Sequence, residues 1–188
     1  MRQNYSLEKG LQALQDGGVI LYPTDTLWSL GCDARREDSI ERLRQIRSLR
    51  KDEPLTVLVS DLKMLLRYVG KLHPRLETLL LYHQRPLTVL YEGVRHLPAS
   101  LFTSDGQVAI RITVSPFCKQ LIDRFSRPLV ASAAARPGYK LPATFGEIQS
   151  DIIQASDYVF APSLEEGDGE PSVLVRLSEK AELVFLRS

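Results

Sequence analysis

The sequence predicts an α/β fold, a twisted mixed sheet with flanking helices. Two observations carry that prediction. Stretches with apolar residues at helical spacing alternate along the chain with short, almost uninterrupted apolar runs. Runs of the second kind are strands that need cover on their buried faces, and helices interleaved with them build layered domains. The length of 188 residues fits one domain, 1–188, able to bury roughly 70% of the surface its unfolded chain exposes.

Taken in order, "SLEKGLQALQDGG" sets Leu7, Leu11 and Leu14 on one helical face and stops at Gly17 and Gly18. Val19 to Tyr22 is an apolar strand that runs into Pro23. "SIERLRQIRSL" places Ile40, Leu43 and Ile46 at helical spacing, and "LTVLVS" from Leu55 reads as strand. Asp61 is placed to cap a short helix carrying Leu62, Leu65, Leu66 and Val69. Pro74 begins another, running to Tyr82. "LTVLY" from Leu87 and "VAIRI" from Val108 are strands, and Ser115 with Pro116 opens the helix of "SPFCKQLIDRF". "PLVAS" from Pro128 returns to strand. "TFGE", Thr144 to Glu147, has capping-box spacing and is expected to open a helix. "YVFA", "SVLVRL" and "ELVFLR" close the chain as strands, and "EEGDGE" from Glu165 to Glu170 reads as a solvated loop.

Composition excludes more than it selects. Lys plus Arg is 24 and Asp plus Glu is 23, so the net charge of +1 points to no partner, and any anion site must come from local clustering. "MRQNYSLEKGLQ" lacks an apolar core of signal-peptide length, and no later run approaches a membrane span. Cys32 and Cys118 sit far apart, as expected of reduced thiols in the cytoplasm. His73, His83 and His96 have no ligand spacing, so no metal site is expected. GxxxxGK[ST], GxGxxG after a strand, HExxH and GxSxG are all missing.

Three features could carry chemistry. The first strand ends in "PTDT", which gathers Thr24, Asp25 and Thr26 just before Trp28, the single tryptophan of the chain. Hydroxyls there either satisfy a turn or face a ligand. "RLRQIRSLRK" holds Arg42, Arg44, Arg47, Arg50 and Lys51, with Arg44 and Arg47 opposite the apolar face, where a solvated role suffices. Arg111 shares a strand face with Ala109 inside "VAIRI", so its guanidinium needs an anion, from the protein or from a ligand. Ligands of open α/β sheets lie at the carboxyl ends of strands, where Pro23 to Thr26 and Arg111 could share a crevice.

The succession "GGVILYPTDTLWSLGCDA", "PLTVLVSDL", "RPLTVLYEG", "VAIRITVSPFCKQLI", "RPLVASAAARPG" and "EPSVLVRL" resembles the YrdC-like family, the threonylcarbamoyl-AMP synthases and their YciO-type relatives, over nearly the whole chain. The resemblance implies a twisted α/β sheet with a concave, positively charged cleft. It implies condensation of L-threonine, bicarbonate and ATP, with Mg²⁺ on the phosphates, to threonylcarbamoyl-AMP and pyrophosphate. That product feeds the threonylcarbamoyl modification of adenosine in tRNA. Related members imply binding of tRNA or other structured, double-stranded RNA. Such chemistry is mainly positioning and cationic stabilisation of crowded phosphates.

Carried over by position, the resemblance places Thr24, Thr26, Arg111 and Ser172 on the substrate side, with Trp28 as a wall. It places Arg47, Arg50, Lys51, Ser132 and Arg187 on the nucleotide or RNA side. The match is partial. Of the family's KxR motif, the first position is Arg47 and the second is Leu49. The SxN turn falls on Ala133 and Ala135, with Ser132 between them and the strand, and in the PST segment Val173 follows Pro171 and Ser172. These departures predict a relative that binds RNA or nucleotide in a basic cleft with weak or no synthase activity. The alternative is an active synthase, a nucleotidyltransferase with a rearranged ATP site.

Overall fold

A computed structural model describes residues 6–161, 164 and 167–188. The first residues of the amino-terminal stretch, and Glu165 and Glu166 of the acidic run, lie outside the described residues. The helices are α1 (Leu7–Gln15), α2 (Glu37–Arg47), α3 (Leu62–Val69), α4 (Pro74–Tyr82), α5 (Pro116–Phe125) and α6 (Ser150–Ala155). The strands are β1 (Ile20–Pro23), β2 (Trp28–Gly31), β3 (Thr56–Val59), β4 (Leu87–Tyr91), β5 (Val108–Ile112), β6 (Leu129–Ala133), β7 (Tyr158–Val159), β8 (Val173–Leu177) and β9 (Leu183–Arg187).

The strands form one mixed sheet in the order β7-β1-β2-β6-β3-β5-β4-β8-β9. The pairs β1/β7, β3/β5 and β4/β8 are parallel, and the other neighbours are antiparallel. Register sorts the side chains. Ser29 faces Ala133, Thr56 faces Ala131 and Ala109, and Arg111 faces Leu58 and Thr88. Directly opposite residues share a sheet face, so small side chains collect on one side. Val57, Val59, Ile110 and Val130 point to the other side, where they are 0–1% exposed and join the apolar cluster with Leu65, Leu121 and Ile122.

Helix ends obey local chemistry. Asp61 Oδ1 accepts from Met64 N at 2.6 Å, and Ser115 Oγ accepts from Cys118 N at 3.2 Å. Pro74 and Pro116 stand in the first turns of α4 and α5. Ser48 and Ser126 end α2 and α5 in the left-handed region, at φ 57° and 59°.

One strand is added and two expectations are corrected. Trp28 to Gly31 is a strand in its own right, paired antiparallel with β1. Its strand character comes from pairing with β1 and β6, across the turn that Pro23, Thr24 and Asp25 begin. "TFGE" does form the capping box, with Glu147 accepting from Thr144 N at 3.1 Å, but it closes a 3₁₀ turn, and α6 starts only at Ser150. "YVFA" contributes only two strand residues, paired with β1.

Gly31 sits where no side chain fits. A Cβ there would meet the Tyr22 ring and lie 2.8 Å from Val130 O, the acceptor of the 2.9 Å Tyr22 hydroxyl bond. We expect Gly31→Ala to cost about 1–3 kcal/mol through overpacking, and Tyr22→Phe about 1 kcal/mol through the lost bond. Urea unfolding of the two variants measures both.

Candidate functional site

The β1–β2 turn is built by Thr24. Its hydroxyl donates to Leu27 O at 2.8 Å and accepts from Thr26 N and Leu27 N, each at 3.2 Å. Thr24 is fully committed and lies outside the cleft lining. The hydroxyl that the resemblance sets toward a substrate shapes the turn here. Trp28, expected as a wall, is corrected. It is 1% exposed, packs edge-on against Phe145 at 5.2 Å, and does not line the cleft.

Across the small-residue face of the sheet runs a cleft lined by Thr26, Ser29, Arg47, Thr56, Arg111, Ala131, Ser132, Ala133, Leu141, Pro171, Ser172 and Arg187, with Leu27 and Pro54. It exists because Ser29, Thr56, Ala131 and Ala133 are too small to fill the concave face. Six of the residues singled out from sequence meet there: Thr26, Arg47, Arg111, Ser132, Ser172 and Arg187.

Arg111 is held from below. Its guanidinium lies 3.0 Å from Asp25 Oδ1, with the two side chains 5% and 2% exposed. Asp25 Oδ2 also accepts from Val114 N at 2.9 Å. Of the two anions the sequence allows Arg111, the fold supplies a protein carboxylate, and the residue still lines the cleft. Arg111 Nε is buried without a hydrogen-bond partner.

The other two guanidiniums have neutral partners. Arg47 Nε donates to Ala135 O at 2.7 Å and its Nη1 donates to Ser132 Oγ. Burial lowers the Arg47 pKa to about 10. Arg187 Nε donates to Ser172 O at 2.8 Å and Nη2 to Ser172 Oγ at 3.3 Å, while Ser172 Oγ sits 2.7 Å from Thr88 Oγ1. Burial first, and then the charge of Arg111, lower the Arg187 pKa. No carboxylate lines the cleft among the described residues.

Arg50 and Lys51 do not join them. Arg50 is exposed and paired with Asp52 at 3.2 Å, and Lys51 is exposed outside the lining. The loop turns them away because Arg44, expected on a solvated face, is 3% exposed and donates to Arg50 O, Glu53 O and Ser100 O at 2.8–2.9 Å. Leu49 packs half-buried against the core. Ala133 lies in the cleft floor, whereas Ala135 is buried and offers only its carbonyl.

Sequence reasoning missed the covering loop. Gly167, within the acidic run read as solvated, lies against the threonine turn, where a Cβ would stand 2.5 Å from Thr26 N. Gly169 N donates to Thr26 O at 3.0 Å from φ +78°. The glycines of "EEGDGE" were the available signal, since close backbone approach favours them. Burial raises the pKa of both thiols, Cys118 to about 12, so neither is a poised nucleophile.

The family model Sua5_yciO_yrdC, described as telomere recombination, matches residues 12–188. A threonylcarbamoyl-AMP synthase of Pseudoalteromonas translucida is 26% identical over 177 residues, covering 93% of this chain and 94% of that protein. The crystal structure of P. abyssi Sua5 complexed with L-threonine superposes with a TM-score of 0.87 at 21% identity, over 96% of this chain. This chain spans about half of that one, 53% of its length. E. coli YciO superposes with a TM-score of 0.81 at 21% identity, over 97% of this chain and 88% of that structure. No helix among the described residues is long and apolar enough to cross a membrane.

Removing one member of the buried pair strands the other. We expect Arg111→Ala and Asp25→Ala each to cost about 3–5 kcal/mol. Equilibrium urea unfolding checks this, and a loss below about 1 kcal/mol in both would mean that the pair is hydrated and dispensable.

Proposed function

The chain belongs to the Sua5/YciO/YrdC family, and from that membership we propose that its cleft binds a nucleotide through the phosphates, with weak or no synthesis of threonylcarbamoyl-AMP. One observation carries the reading. Arg47, Arg111 and Arg187 surround the cleft, and Asp25 is the one carboxylate touching any of them among the described residues. Arg47 and Arg187 therefore keep unneutralised charge in a partly desolvated place, which favours a polyanion. A nucleotide fits better than an extended RNA strand, because these cations converge in a concavity while Arg50 pairs with Asp52 outside it.

The same geometry argues against efficient synthesis. The position matched to the second KxR cation is Leu49, packed against the core, and Ala133 brings no donor to the cleft floor. One lost donor to developing charge can cost about 2.7–4 kcal/mol in the barrier. Mg²⁺ would have to arrive with the phosphates, because no carboxylate lines the cleft among the described residues. Thr26 and Ser172 stand where an amino-acid substrate such as L-threonine would meet hydroxyls. A second reading, an active synthase feeding tRNA modification, is favoured by the Arg47–Ser132 pairing, which keeps a polar group at the end of β6.

Incubating the protein with ATP, L-threonine, bicarbonate and Mg²⁺ tests the reading. We expect ATP to bind while pyrophosphate release stays near background. Turnover comparable to that of an intact synthase would establish the second reading. Arg47→Ala is expected to weaken ATP binding about ten- to hundred-fold, the worth of one charge-assisted bond, and rising ionic strength to weaken it in the intact protein. Because Arg47 is cationic below its pKa of about 10, its contribution should be constant at neutral pH and fade as pH rises through that value. Calorimetric titration along salt and pH reads both trends.

A further inference from the structure

Arg47 and Arg187 offer partners to the phosphates of a nucleotide, and its base needs a partner of a different kind. Close in sequence to a lining residue of the cleft, the chain carries an aromatic ring that the fold leaves uncovered. Tyr139 is 62% exposed and Leu141, two residues on, is 39% exposed and lines the cleft. Lys140 between them pairs with Glu147 at 2.5 Å, on the 3₁₀ turn. Leu141 precedes Pro142, which restricts it to extended backbone. Tyr139 thus stands two residues before a leucine that lines the cleft.

The segment is held at both ends. Arg136 N donates to Gln149 Oε1 at 3.3 Å, its guanidinium pairs with Asp151 at 2.5 Å, and Gly138 at φ +83° turns the chain so that Tyr139 N donates to Arg136 O. At the far end, Trp28 N donates to Pro142 O at 3.0 Å, fastening the segment to β2. An uncovered phenol ring is thus mounted two residues from a leucine that lines a cationic cleft. That combination suits a ligand with a flat aromatic part attached to phosphates.

We propose that Tyr139, with Leu141, is the base platform of the cleft: the ring stacks on the nucleobase while Arg47 and Arg187 take the phosphates. The inference rests on the nucleotide-binding reading and adds the base to it. Stacking tolerates any base, because every base has a π face, so the platform selects nucleotides over bare polyphosphate rather than adenine over guanine.

The experiment compares ATP with inorganic tripolyphosphate, at equal Mg²⁺, on the wild-type protein and on Tyr139→Ala, Tyr139→Phe and Tyr139→Trp. Tyr139 is exposed, so these variants should fold, and coincident thermal unfolding verifies it. We expect wild-type protein to bind ATP more tightly than tripolyphosphate. Tyr139→Ala should weaken ATP about 5- to 150-fold, the worth of one stacked base, and leave tripolyphosphate within about twofold. Phenylalanine and tryptophan should restore ATP binding. Equal affinity for the two ligands in wild-type protein would overturn the platform and leave phosphate binding standing. A parallel loss of both ligands in Tyr139→Ala would also overturn it. Binding of neither by the wild-type protein would overturn the nucleotide reading and the platform with it.

Discussion

The buried contact between Asp25 and Arg111 is the constraint on which the rest of the structure depends. The two residues come from opposite halves of the sheet. Asp25 lies in the β1–β2 turn and Arg111 in β5, with β6 and β3 lying between β2 and β5. Each charge alone would cost several kcal/mol to bury. The turn must therefore fold over the sheet face to bring the carboxylate to the guanidinium, and Val114 N on the second carboxylate oxygen fixes its angle. Thr24 closes the turn from within, and Gly167 lies against it from outside. The concavity is what remains when that turn is strapped down over a strip of alanine, serine and threonine.

The pair also sets the electrostatics. By neutralising the charge of Arg111 internally, Asp25 leaves Arg47 and Arg187 as the cleft cations with charge to spare. Both have depressed pKa values caused mainly by burial, so both are held at a cost to the fold. Half-buried cations with only neutral partners are expected where a ligand supplies the counter-charge. Leu49 shows the opposite adaptation: a position matched to a family cation now adds apolar contact to the core.

Much of the fold was legible because its signals are local. Asp61, Pro74 and Ser115 act through their own first turns, and the apolar runs of β3, β4 and β5 admit one reading. β2 was not legible, since its strand character comes from pairing with β1 and β6 rather than from its own pattern. Within the site, Arg111 could be singled out as a charge in an apolar strand, but Asp25 could not be named as its partner, because nothing in spacing joins residues so far apart in sequence. The basic run divided in a way periodicity could not foresee. Arg44 turned inward to three carbonyls, Arg47 reached the cleft, and Arg50 turned to Asp52, all because the loop after Ser48 folds back on the end of α2.

Arg187 rides on β9, the outermost strand at one end of the sheet, which pairs only with β8 through a register irregularity near Leu174 and exposes Phe185 and Leu186. Edge strands open more readily than central ones, because fewer buried contacts oppose their release. Whenever β9 frays, its guanidinium leaves Ser172 and the cleft loses one wall. The apparent dissociation constant of any ligand that uses Arg187 is then the intrinsic one divided by the fraction of molecules with β9 docked. By the same linkage, a ligand held by Arg187 must slow amide exchange in β9.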